Sequence, residues 1–299
     1  MTIYNQIAFN KRRSFFIVLF FILFVSFIFY LVGQFFDHGR LYFWFGLLFA
    51  FLSSFFSYFF SDRIILFSLR AKPASKKDYF HFYTVVENLV IAAGLSMPKL
   101  YVINDPSPNA FATGRNPKNS VICVTTGLLN LLDRSELEGV VAHELSHIKN
   151  YDILLASLVA VLVGSVAILS DWLLRSTFWF GSPSQREERE KNPLLSLMAV
   201  VVLIIAPLIA TLIQLALSRQ REFLADADGV LLTRYPAALA RALEKISQTN
   251  IPLRNAASGT AHLFITNPFK KIKTSSSWLV NLFNTHPPVE ERIKILSSM

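Results

Sequence analysis

The sequence predicts a mainly α membrane protein, with about four transmembrane helices and a cytoplasmic α+β part containing a small β-sheet. Three observations lead there. The 299 residues are 53% hydrophobic and only 16% charged, against about 25% charged in soluble chains. The apolar residues, 28 Phe among them, gather in four long runs. Between and after the runs the chain turns to amphipathic helix patterns and short β-type stretches bounded by turn residues.

Residues 14–36 form 23 residues without a charge, and 41–60 add 20 more. Each is long enough, as a helix, to cross a hydrocarbon core of about 30 Å. Only "DHGR" separates them clearly, so residues 1–60 read as a transmembrane hairpin. The first run is too long for a cleavable signal peptide and lacks a small-x-small cleavage site. Residues 153–174, interrupted by Asp171, and 194–217, containing Pro207, make a second apolar hairpin over 153–217. Proline inside a membrane helix is tolerated and usually kinks it. The third run could alternatively be partly embedded, or packed against protein. The stretch between these runs contains the polar "SQREEREKN".

The net charge of +9 follows the apolar runs. Lys11, Arg12 and Arg13 precede the first; Arg63, Arg70, Lys72, Lys76 and Lys77 follow the second. Short basic flanks of this kind mark the cytoplasmic side. They place 61–152 there and, provided the third and fourth runs both span, 218–299 as well. The basic residues form neither a reading helix nor an aromatic-basic platform, so no nucleic acid partner is expected. The single cysteine, Cys123, excludes an intramolecular disulfide and reads as a buried structural thiol.

Within 61–152, residues 78–95 read as an amphipathic helix ending near Gly94. "KLYVIN", "NAFATG" and "SVICVTTG" follow, separated by "DPSPN" and "RNPKN", and predict a small sheet. "SELE" then offers a capping box, with Ser135 as N-cap and Glu138 three residues on. After residue 217, "SRQREFLADADGVLLTRYP" predicts a helix ending before Pro236, and "PAALARALEKISQ" another. Residues 250–285 read as irregular, with serines at 275–277, and "HPPVEERIKILSSM" as a last helix opened by prolines.

The helix begun by "SELE" carries "HELSH". Positions i and i+4 share a helix face, so His143 and His147 can present ring nitrogens to one ion. Zinc bound this way needs another protein ligand and keeps a position open for water. Glu144, pointing elsewhere, would stand beside that position as a general base. The competing reading is two polar histidines on a solvated helix face; a chain with six His rarely produces this spacing by accident. No third histidine follows closely. The best remaining ligand is Glu222 in "REFLADAD", with Asp226 one turn on, placed to accept a hydrogen bond from a ligand histidine. Both could instead pair with Arg219 or Arg221 on a solvated helix.

"HELSHIKNYDIL" followed by "SRQREFLADADG" resembles the HtpX-type integral membrane zinc metalloproteases, in the broad group that includes the CaaX prenyl proteases. "NAFATG" and "THPPVEERI" also match family patterns. The resemblance implies a zincin-like catalytic domain with one Zn2+ per chain on His143, His147 and Glu222. Glu144 would be the general base, and Asp226 the acidic position after the glutamate ligand. It implies that His286 approaches the reaction centre, where it would donate to an oxyanion; on residues alone it reads as a turn histidine. Asn109, Ala110, Phe111 and Ala112 would form an edge strand for an extended substrate. The implied activity is cleavage of membrane proteins at the cytoplasmic face of a bacterial inner membrane, in proteolytic quality control. The alternatives are a CaaX-type processing protease, disfavoured by four segments and a short chain, and a catalytically silent metal-binding scaffold.

Overall fold

The computed structural model describes residues 3–34, 37–179, 219–256, 260–266, 268 and 287–299. The fourth apolar run, the serine-rich stretch and His286 lie outside the described residues.

Helices α1 (Ile3–Gln34) and α2 (Gly39–Ser68) form the expected hairpin, and α1 extends back through its basic cluster. Both are long and apolar enough to cross a membrane. Their outer faces carry exposed aromatics such as Phe15, Phe16, Trp44 and Phe45, which water would not favour and lipid would. The inner face of α2 is small instead: Gly46, Ala50, Ser54, Ser57 and Ser61 are buried. Small residues let helix backbones approach closely, since lipid supplies no hydrophobic drive between helices.

Beyond the hairpin comes a four-stranded sheet of β1 (Lys72–Pro73), β2 (Lys99–Ile103), β3 (Ala110–Asn116) and β4 (Asn119–Thr125). Its order is β1-β2-β4-β3, with β2 and β4 parallel and the other pairs antiparallel. The three expected strands are present, with β3 at an edge. The two-residue β1, too short to show a period, completes the other edge. Cys123 is fully buried in β4, and burial pushes its thiol pKa well up.

Helix α3 (Phe80–Ala93) ends on Gly94 in the left-handed region, φ 66°, where glycine carries no steric penalty. Short α4 (Thr126–Leu131) is capped by Thr125 and leads to α5 (Arg134–Lys149). The capping box of α5 is not the expected one. Asp133 is the N-cap, accepting from Glu136 N at 2.9 Å, while Glu136 accepts from Asp133 N. Ser135 instead donates to Asp133 at 2.8 Å. Two overlapping S/D-x-x-E patterns compete here. The one holding Glu136 prevails because that carboxylate is buried against Lys245.

Helix α6 (Asp152–Trp179) follows α5 after a bend of 84° at Asn150–Tyr151. Tyr151 turns the corner with φ 61°, uncommon for a residue with a side chain. Leu155, Val159, Leu162, Val163 and Val166 of α6 pack onto the α1–α2 hairpin. Two described helices are therefore candidate spans by themselves; α6 becomes part of a third only as one half of a bent pair with α5. Helices α7 (Arg219–Thr233), α8 (Pro236–Gln248) and α9 (Val289–Ser297) complete the described chain, each where the sequence predicts a helix. The catalytic layer's core joins Val85, Val86, Val140, Val141, Leu145 and Leu243, so α5 lies inside rather than on the surface.

Candidate metal centre

Helix α5 is buried almost all round, yet its buried residues include His143, Glu144 and Ser146. Buried polar groups need partners, and α7 supplies those of His143 and Ser146. Ser146 Oγ and Asn150 Nδ2 both donate to Asp228, at 3.0 and 3.2 Å. The two helices approach closely at Gly229, where a Cβ would lie 3.1 Å from His143 N. That contact brings Glu222 and Asp226 over the two histidines.

His143 Nε2 and His147 Nε2 are 3.2 Å apart. Glu222 Oε2 lies 3.8 Å from the first and its Oε1 3.6 Å from the second. These three residues form a group able to hold one ion. Ligands at about 2.0–2.1 Å in a tetrahedron sit about 3.3 Å from each other, so the spacing suits zinc.

The hydrogen bonds behind the rings agree. His143 Nδ1 donates to Asp226 at 2.9 Å, and His147 Nδ1 to Asp152 at 3.0 Å. In neutral imidazoles this leaves both Nε2 lone pairs converging, an arrangement that calls for positive charge between them. With every carboxyl ionised, Glu144, Asp152, Glu222 and Asp226 also outnumber Arg221 and Arg292 by two. Burial opposes charge on His147, but the Asp152 hydrogen bond, Glu222 and Glu144 outweigh it and push its pKa to about 9. The pocket favours a cation at its centre.

Glu144, together with His143, His147 and Glu222, lines a cavity of about 40 Å3 and accepts a hydrogen bond from Ala112 N. Burial raises its pKa, with Glu222 adding to the effect, to about 7, against the opposing pull of His147 and Arg292.

Three contributors escaped the sequence reading. Arg292 of α9 is 1% exposed and grips Asp226 with Nη2 at 2.6 Å and Nε at 2.8 Å. A sign of it was legible: Arg292 falls between Val289, Ile293 and Leu296 on the apolar face of its helix. Asp152, the first residue of α6, accepts from His147, from Asn10 of α1 at 2.8 Å, and from Arg221 at 3.4 Å. His262 forms part of the cavity wall and donates from Nε2 to Ala156 O at 3.0 Å.

The β3 edge borders the cavity but is partly covered. Ile265 N donates to Ala110 O at 3.0 Å, and Asn109 bonds both polar backbone groups of Thr266. Phe111 meets Phe264 edge-on. Of the four expected strand residues, Ala112 is the one that lines the cavity.

An HExxH helix and a carboxylate helix closed over one ion site, beside a membrane hairpin, define a membrane metalloprotease. The profile of peptidase family M48 matches residues 81–299, and the chain belongs to that family. It is 45% identical to a protease HtpX homolog of Dictyoglomus turgidum, over 100% of this chain and 95% of that one. Another, from Caldanaerobacter subterraneus, is 43% identical over 100% and 98%. A third, from Thermococcus sibiricus, is 44% identical over 84% and 85%. Among solved structures, S. mikatae Ste24p shares the fold at a TM-score of 0.52 with 20% identity. That likeness covers 97% of this chain, which spans only 66% of the Ste24p chain.

Proposed function

We propose that the chain is a zinc endopeptidase that cuts membrane proteins at the cytoplasmic face of the bilayer, in the removal of damaged or misfolded ones. The observation that carries the chemistry is the convergence of His143, His147 and Glu222 with Glu144 in the same buried cavity. His143, His147 and Glu222 would hold one Zn2+. When bound, it supplies Lewis acidity to the scissile carbonyl and to a water. Glu144 takes the proton from the attacking water and passes it to the leaving amine. Asp226 and Asp152 keep the two imidazoles in the tautomer that leaves Nε2 free to ligate. His286 would donate to the oxyanion.

An extended substrate would pair with the β3 edge at Ala112. Residues 261–266 already occupy the edge at Ala110, so the substrate strand begins beyond Ala110 or displaces that segment. The basic flanks of α1 and α2 support a cytoplasmic site.

Purified full-length protein is expected to hold about one zinc, lost in His143→Ala. Glu144→Gln is expected to keep the zinc and lose cleavage of a model membrane substrate by at least about 100-fold, the lower range for a general base. Full activity in Glu144→Gln would favour another base and sink this mechanism.

A further inference from the structure

A second cavity, of about 630 Å3, opens between α1 and α2 on the side facing α6 and the β3–β4 turn. It shares no lining residue with the metal cavity. We propose that it binds one anionic phospholipid, with the phosphate between Lys11 and Arg115 and one acyl chain along Phe15, Val18, Ile22 and Phe51.

The polarity of the trench is that of a lipid. Lys11, Arg115, Asn116 and Tyr151 line it next to the catalytic layer, while Phe15, Val18, Ile22, Phe51 and Phe55 line the rest. From Lys11 to Ile22 the helix rises about 16 Å, close to one leaflet of a hydrocarbon core about 30 Å thick. The trench therefore has one chain's length, starting from its charged end.

The two cations are held ready. Lys11 Nζ lies 4.4 Å from the centre of the Tyr151 ring, and the Arg115 guanidinium 5.2 Å from that of Phe59. Among the described residues no carboxylate pairs with either, unlike Arg221 and Arg292, whose charges are taken up by Asp152 and Asp226. Two cations on aromatic faces at the edge of an apolar trench suit a phosphate anchored in a bilayer.

Ser54 supplies an independent sign. The residue lines the trench and is 5% exposed, and its buried hydroxyl has no hydrogen-bond partner among the described residues. Helical serines usually bond back one turn, as Ser14 does to Asn10 O and Ser26 to Ile22 O. A buried hydroxyl left without a partner is costly. Ser54 lies one turn from Tyr58 in α2, and both line the trench.

The test uses full-length protein in mild detergent and native mass spectrometry. Phosphatidylglycerol, phosphatidylcholine with the same chains, and glycerol phosphate alone are the probes. About one phosphatidylglycerol per chain should be retained, at least tenfold in preference to phosphatidylcholine, with no retention of glycerol phosphate. The Lys11→Gln/Arg115→Gln double variant should lose that preference, whereas Arg12→Gln should not. Ser54→Phe, which fills the trench, should lose both lipids, and unchanged zinc content reports that each variant is folded. No headgroup preference, equal loss in Arg12→Gln, or retention of glycerol phosphate would overturn the proposal. So would a photo-crosslinker at Phe55 that captures polypeptide rather than lipid in cell membranes.

Discussion

Arg292 donates two hydrogen bonds to Asp226, at 2.6 and 2.8 Å, and the same carboxylate accepts from His143 Nδ1 at 2.9 Å. The last helix thus reaches the first histidine through one carboxylate. The bidentate fork fixes the plane of Asp226, and Asp226 fixes the ring. Replacing Arg292 by Leu leaves Asp226 buried without its cation, a loss of about 3–5 kcal/mol for a buried pair. Zinc affinity should fall about 10–100-fold, read by competition with a chelator. Arg292→Lys keeps the charge but not the fork and should recover only part of that affinity.

The other ring is held from the membrane side. Asp152 accepts from His147 and from Asn10 of α1. Asp152→Asn should weaken zinc binding about 10–100-fold. Asn10→Ala, which removes only the outer support, should cost less than Asp152→Asn in the same titration. Equal zinc affinity in wild type and Asp152→Asn would mean that His147 is oriented by something else.

Gly229 sets how closely α7 approaches α5. A Cβ there meets His143 N at 3.1 Å and Ala142 C at 3.3 Å, both backbone atoms. Alanine normally favours a helix over glycine by about 1 kcal/mol. Here the crowding should cancel that gain, and Gly229→Val should lower the thermal midpoint and zinc affinity together. A raised midpoint with intact zinc binding in both variants would show that the helices can part without cost.

Two serial patterns offered a cap for α5, and the structure selects Asp133. Asp133→Ala should therefore destabilise by about 1 kcal/mol, the usual value of an N-cap. Ser135→Ala should change stability by less than about 0.5 kcal/mol. Denaturant unfolding of the two variants, reversed in rank, would restore the sequence-based assignment.

Much of the fold follows from local pattern. The apolar lengths of α1 and α2, the β-type runs between turn residues around 99–125 and the helix patterns after residue 218 are all visible in short windows. His143, Glu144 and His147 were legible for the same reason, since one turn of one helix brings them together. Glu222 and Asp226 were legible as a pair, again one turn apart, and their meeting with α5 followed from the need for a third ligand and from the family resemblance rather than from any local period.

The sequence by itself determined the residue types, their periods and the two halves of the site. Tertiary structure alone decided what those halves lean on. Arg292, 66 residues from Asp226, and Asn10, 142 from Asp152, act through buried contacts that no local period encodes. It also decided that residues 261–266 lie along β3, and that Ser54 and two cations face one trench. The reason is physical. Periodicity reports which face of an element is buried, whereas a buried charge or hydroxyl is settled by whichever distant group comes to meet it.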